Sequence, residues 1–313
     1  MSNATDAEFS TIKNFQLYYM PILITTGLIG NSLSIVVFCK TKLKKLSSAY
    51  YLTALAISDN VFLCSLFTIW LEIFEVDVYN RDGFCHVFTY ANDVAFFLSV
   101  WLVAAFTFER FIVVKYPFLG RTLCTRERAK VIILVLVIVS LTFYSTKFFF
   151  KCNVYIEVFS NIFFCVDIIV TSLIPVTLVI FLNIFIIKTI LTLSGTRKAL
   201  TQQSNTENCN KNVMRSQNKI TKMLLVISTV FLVSAFPNYI FVMYYIYLYQ
   251  AGLEAHLVSF TLPKWCEIIF YTTFCINFFV YCLSGEDFRS ALCGIFKKKG
   301  QRKGQETQAL QGI

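Results

Sequence analysis

The sequence predicts an all-α membrane protein, a bundle of seven transmembrane helices followed by a short amphipathic helix on the cytosolic membrane surface. Three observations predict it. Hydrophobic residues make up 57% of the 313-residue chain and charged residues only 15%, with a mean hydropathy of +0.65, far from the balance of a water-soluble domain. Apolar runs long enough to cross a hydrocarbon core, which takes about 20 residues, recur along the chain. The 28 Lys and Arg residues gather on one side of the bundle those runs imply.

The runs cover Phe15–Cys39, Ser47–Leu71, Cys85–Val114, Ala129–Phe149, Asn161–Leu191, Thr221–Tyr249 and Leu257–Leu283. Residues 1–14 then form a polar, acidic tail and residues 15–283 the bundle. With no cleavable leader apparent, the first run serves as its own targeting signal. The third, fifth and sixth runs exceed the minimum, so tilt or extension beyond the membrane is expected. Most connections are short. The exception, "SGTRKALTQQSNTENCNKNVMRSQ" at 194–217, has no apolar periodicity and predicts a mobile loop. In "GEDFRSALCGIFKKK", Phe288, Leu292, Ile295 and Phe296 stand at helical spacing ahead of basic residues, so 284–299 reads as an amphipathic surface helix. Residues 300–313 read as a disordered tail. Cys293 on that helix is either a palmitoylation site or an unmodified membrane-facing thiol.

The charge asymmetry orients the bundle. Lys40 to Lys45, Arg110 to Lys130, Lys188 to Lys222 and Arg289 to Lys303 fall on one side, against Lys13, Arg81, Lys147, Lys151 and Lys264 on the other. The positive-inside rule therefore predicts an extracellular amino terminus and a cytoplasmic carboxyl terminus. The net charge of +10 faces anionic inner-leaflet lipid and does not point to nucleic acid. Asn3 heads an Asn-Ala-Thr acceptor sequon on the outer side. Most of the 11 cysteines lie in apolar runs, but Cys85 and Cys152 fall at outer helix ends in an oxidising compartment and are expected to be bridged, with Cys165 as the competing partner.

Ionisable residues at membrane depth are costly and mark function. Asp59 sits mid-span, with Asn31, Ser99 and Asn277 at comparable depth. Together they form either a hydrated cluster that holds a small cation such as sodium or an uncharged network that packs the helices. Glu109 and Arg110 stand side by side in "AAFTFERFIVVKYPF", where the acid neutralises the guanidinium unless a rearranged bundle exposes it.

The ordered set "GN" at Gly30-Asn31, "LAISD" ending at Asp59, Cys85, the Arg of "ERF" twenty-five residues on, Pro175, "FLVSAFP" ending at Pro237 and "NFFVY" from Asn277 to Tyr281, then Phe288, resembles the rhodopsin-family (class A) G-protein-coupled receptors over nearly the whole chain. "INFFVYCLSGEDFR" resembles peptide receptors of the invertebrate FMRFamide-like group. The resemblance implies that Glu109-Arg110-Phe111 is the switch that meets a heterotrimeric G protein when helix six swings out, with Asn277 and Tyr281 in the helix-seven motif. This chain departs from the family pattern at four places. Helix four lacks a Trp, Asn183 stands for a Tyr, Ala235 for the Trp before the helix-six proline, and Phe278 for the helix-seven proline, so helix seven lacks the commonest cause of a sharp bend.

A retinal protein needs a lysine within helix seven, and the stretch Ile268 to Tyr281 has none. A monoamine receptor carries Asp where Asn92 stands, although Asp93 is adjacent. Acidic residues from Asp6 to Glu267 crowd the outer half and would concentrate cationic ligands, while Phe96, Tyr239 and Tyr271 offer apolar walls and cation-π faces. The expected ligand is a basic, aromatic-containing neuropeptide that meets Asn92, Asp93, Phe96, Asp167, Tyr239, Glu267 and Tyr271. No enzyme is expected, because His86 and His256 are the only histidines and no metal-ligand or nucleophile spacing accompanies them. No cofactor is predicted, save an allosteric sodium ion on the first of the two readings of the Asp59 cluster, and no metal site is predicted. A seven-helix protein that binds ligand without coupling, as a scavenger, is the main alternative. A transporter is disfavoured by the absence of inverted, Gly/Pro-broken repeats.

Overall fold

The computed structural model describes residues 2–76, 78, 84–146, 163, 165–200, 208–250 and 258–296. The first three spans are α1 (Ser2–Lys40), α2 (Ser47–Leu71) and α3 (Phe84–Lys115), with a short helix α4 (Pro117–Leu123) after the third. The fourth is α5 (Arg126–Tyr144), the fifth α6 (Ile174–Leu200) with a π turn at Ile169–Leu173 before it, and the sixth α7 (Asn208–Gln250). The seventh is broken into α8 (Val258–Tyr271) and α9 (Thr273–Ser284). A last helix, α10, follows over 286–296. Five helices are long and apolar enough to cross a membrane by themselves, and the bent α8–α9 pair makes a sixth. The fourth span completes the seven with α5, whose first turn carries Arg126, Glu127, Arg128 and Lys130.

The helices outrun the predicted spans where the chain leaves the apolar runs. α1 begins at Ser2, α6 continues to Leu200 and α7 starts at Asn208, so helix occupies much of the stretch read as a mobile loop. Extending a helix costs far less than nucleating one, and a span already formed supplies the nucleus. Helix thus propagates into polar sequence that periodicity alone would leave as loop.

Helix seven bends by 46° between its two halves although Phe278 occupies the position of the expected proline. Thr272 makes the bend. Its Oγ1 donates to the Ile268 carbonyl at 3.2 Å and shares a 2.8 Å hydrogen bond with the Tyr19 hydroxyl of α1, and its backbone N–H reaches Ile269 O, three residues back. A threonine that bonds back to the preceding turn competes with the helical ladder and bends it. In the fifth span, Pro175 brings no N–H to the ladder, the π turn lies just before it, and the Trp101 indole donates to Val170 O inside that turn at 3.2 Å.

Between lipid-solvated helices no hydrophobic force remains, so close packing and interhelical hydrogen bonds hold the bundle. Gly27 and Gly30 let α1 approach helix seven, and a Cβ on Gly30 would lie 2.9 Å from Phe278 Cβ. The apolar face of α10 docks through Phe288, whose ring meets Phe38, Phe278 and Tyr281. Leu292 and Ile295 are half-buried and Phe296 is exposed. Arg289 closes the end of helix seven by donating to Cys282 O and Leu283 O at 2.8 and 2.9 Å, the usual satisfaction of orphan terminal carbonyls. Gly30→Ala is expected to cost about 1–3 kcal/mol through overpacking against Phe278, read as a lowered thermal midpoint of the detergent-purified protein.

Candidate functional site

Three polar constructions run along the bundle. At one end, spans two, three, six and seven enclose a cavity of about 500 Å³ lined by Phe62, Leu66, Ile69, Asn92, Phe96, Asn238, Phe241, Pro263, Lys264, Glu267, Phe270 and Tyr271. Its size suits a ligand end of a few residues. Among the described residues its charged groups are Lys264 and Glu267, which form a 2.8 Å ion pair one turn apart on α8, and the Tyr271 hydroxyl donates to the other Glu267 oxygen. Beneath lies an aromatic layer. Phe62 stacks on Phe274 at 3.8 Å, and Phe270 meets Phe96, Phe274 and Tyr239.

Four of the predicted ligand residues, Asn92, Phe96, Glu267 and Tyr271, line this cavity. Asp167 does not. Its Oδ1 accepts from Tyr144 at 2.6 Å and from Thr171 at 2.8 Å, which ties the fourth span to the fifth. Asp93 is half-buried outside the cavity lining. Tyr239 lies one layer deeper, with its ring 6.3 Å from that of Phe270.

At mid-depth the Asp59 carboxylate, 1% exposed, accepts from Ser99 Oγ at 2.8 Å through one oxygen and from Asn277 Nδ2 at 2.7 Å through the other. Asn31 donates to Phe274 O at 2.9 Å, one turn from Asn277, and its own Oδ1 is buried without a partner among the described residues. All four predicted members therefore occupy one buried layer that joins spans one, two, three and seven. No cation among the described residues pairs with Asp59. Two carboxylate oxygens with lone pairs to spare and one orphaned amide oxygen are the hard oxygen donors that a small cation takes, so the residues fit such an ion.

At the other end Glu109 and Arg110, 6% and 4% exposed, form a 2.7 Å ion pair. Ser47 of α2 donates to the same Glu109 oxygen at 2.7 Å, which satisfies the buried acid and ties span two to span three. Phe111 faces away from this pair. Its ring lies 5.2 Å from the Lys115 ammonium, which Tyr116 and Phe185 also approach, at 5.2 and 5.6 Å. This aromatic nest joins α3 to α6. Tyr281 is buried against Phe38 and Phe288, and its hydroxyl has no partner among the described residues.

The rhodopsin-family description "7 transmembrane receptor (rhodopsin family)" matches residues 30–281. The chain belongs to that family. It is 26% identical over 327 residues to the thyrotropin-releasing hormone receptor of Mus musculus, covering 92% of this chain and 81% of that one. It is 24% identical over 319 residues to the sex peptide receptor of Drosophila melanogaster, covering 89% and 72%. The crystal structure of squid rhodopsin shares the fold, with a TM-score of 0.75 and 19% identity over 90% of this chain and 85% of that one. The chain is a G-protein-coupled receptor, and its family is one of receptors rather than enzymes.

Within this rhodopsin-family frame, Cys85 is disulfide-bonded. Cys152 and the side chain of Asn3 lie outside the described residues, while Cys165 is a free thiol. Cys293 is exposed on α10. Sequence reading missed three contributors to these sites. Lys264 was counted only as an outer charge, although its i,i+3 spacing to Glu267 is a pairing signal. Asn238, just after Pro237, lines the cavity. Phe118 on α4 is 86% exposed beside Leu119, an apolar patch next to the Arg110 end of the kind that marks a protein contact. Its signal was an apolar pair just past the third span, in "YPFLG". Glu109→Gln removes the charge that holds Arg110, and basal nucleotide exchange is expected to rise about three- to tenfold, measured as GTPγS binding in membranes without ligand.

Proposed function

We propose that this receptor binds an extracellular peptide in the cavity and activates a heterotrimeric G protein at the Arg110 end. One observation carries the reading. A single helix, α3, bears Asn92 and Phe96 in the cavity and the buried Glu109–Arg110 pair at its far end. A rigid span with a ligand surface at one end and a restrained charge at the other can transmit a small shift between them.

The proposed orientation has the amino terminus extracellular and the carboxyl terminus cytoplasmic in the plasma membrane, supported by the excess of Lys and Arg at the Arg110 end. The same excess favours anionic lipid over nucleic acid as the neighbour of that face. A peptide ligand is supported by the likeness to relatives named as receptors for thyrotropin-releasing hormone and sex peptide. A basic, aromatic-containing peptide is the proposed class, since the cavity walls are aromatic and Glu267 is the acid among its described residues. A ligand cation would take Glu267 from Lys264, whose side chain is 54% exposed and is readily released to water. The Asp59 layer is the proposed site of an allosteric sodium ion, with Asn31, Ser99 and Asn277 beside it.

The test is GTPγS binding in membranes with a panel of G proteins, with and without a pool of amidated basic peptides, beside Arg110→Ala. A peptide-dependent signal lost in Arg110→Ala is expected. Glu267→Gln should raise the half-maximal peptide concentration roughly ten- to a hundredfold. A correctly inserted protein that binds peptide and exchanges nucleotide on no G protein would favour the non-coupling scavenger. For the ion, sodium in place of a large organic cation should lower basal exchange in the wild type and leave Asp59→Asn unchanged.

A further inference from the structure

Asn183 of the fifth span is 6% exposed, and Ser228 of the sixth is fully buried. The Asn183 Nδ2 donates to Ser228 Oγ at 2.9 Å, and the Ser228 hydroxyl lies 3.2 Å from Asn183 Oδ1 and 3.1 Å from the Leu225 carbonyl, its two available acceptors. Within one turn of the pair, the buried residues of the two helices are apolar, Val179, Leu182 and Ile186 on α6 and Leu224, Ile227 and Phe231 on α7. This two-way exchange joins the fifth span to the sixth through buried side chains. An amide in such surroundings has one partner to use, and losing it strands a buried donor and acceptor.

The pair also sits where motion would break it. Ser228 lies nine residues before Pro237, the proline within α7, so about 13 Å of helix separates it from the expected pivot. A swing of the Arg110 end of α7 about that point carries Ser228 away from α6, and Asn183 stays behind in apolar surroundings. We infer that Asn183 and Ser228 form a hydrogen-bonded latch that positions helix six in the resting receptor and sets its basal nucleotide exchange. The position matters because Asn183 and Ala235 are two of the chain's departures from its family. Ala235 is fully buried with no ring to rotate, which makes this polar pair a restraint on helix six of a different kind. The inference rests on the G-protein-coupling reading only for its activity readout, and the amide hydrogen-exchange measurement below is independent of it.

The latch has a signature that packing does not share. If the pair favours the resting state, removing either member removes the whole preference and removing both adds nothing. Ser228→Ala, Asn183→Leu and the double variant are each expected to raise basal GTPγS binding by the same factor, about three- to tenfold, in line with interhelical hydrogen bonds in bilayers. Ser228→Thr, which keeps a hydroxyl, should stay near wild type. Ile227→Val, a neighbouring core truncation, should lower the thermal midpoint without raising exchange. The second readout needs no G protein. In nanodiscs, amide hydrogen exchange across residues 221–231 should be faster in Ser228→Ala than in Ile227→Val. Basal exchange that is unchanged, reduced or additive in the double variant would overturn the latch, as would equal amide protection in the Ser228 and Ile227 variants.

Discussion

The carboxylate of Asp59 is the group on which the bundle's arrangement depends. An acid at 1% exposure in the middle of a membrane span is tolerated only if its oxygens find donors or a cation. The donors come from two other helices, Ser99 on the third span and Asn277 on the seventh. Satisfying that one acid therefore fixes the spacing and rotation of three helices at once. Asn31 brings in the first span through the backbone of Phe274, and the stacked rings of Phe62 and Phe274 seal the layer on the cavity side.

From this anchor the two ends of the molecule acquire different characters. Above it, aromatic rings from the second, third and seventh spans form the floor of the cavity, and the Lys264–Glu267–Tyr271 chain supplies its charge. Below it, the third span carries the Glu109–Arg110 pair, which is satisfied in part by Ser47 of the second. Both charge pairs are poised rather than permanent. Lys264 is half exposed and leaves its partner at little cost, as exposed ion pairs do. Glu109 and Arg110 are buried, so separating them is expensive unless another partner takes the guanidinium. The two ends therefore differ in stiffness: the Lys264–Glu267 end yields readily, while the Glu109–Arg110 end resists until another partner takes the guanidinium.

Much of this was legible in the sequence, because membranes impose strong constraints. Runs of about 20 apolar residues locate spans, and isolated polar residues within them locate sites, so Asp59, Asn277, Glu109 and Arg110 could be read directly. What could not be read was which way each outer acid turns. Asp167 and Glu267 look alike in sequence, one acid each within a span. Tyr144 and Thr171 draw Asp167 into the bond between the fourth and fifth spans, whereas Glu267 faces the cavity. Helix rotation decides between those fates, and it is set by packing that hydropathy does not encode. Helix ends escaped for a related reason, since propagation from a formed span carries helix into polar sequence.

The absent proline of helix seven shows how a local rule can fail while the structure it serves is kept. Proline bends a helix by removing a donor and by steric clash. Here Thr272 reaches a comparable end by a different route, a side chain that bonds the preceding turn and a tyrosine from the first span that holds it there. The consequence is mechanical. The bend sits directly below Tyr271, so the cavity-lining Glu267 belongs to the upper half of the helix, and Asn277 and Tyr281 to the lower. A hinge that depends on hydrogen bonds to another helix can change its angle when those bonds change. Gly30 then gains its reason: with Phe278 in place of proline, the lower half keeps a full helical ladder but presents a ring to the first span, and only a residue without a side chain lets α1 approach it.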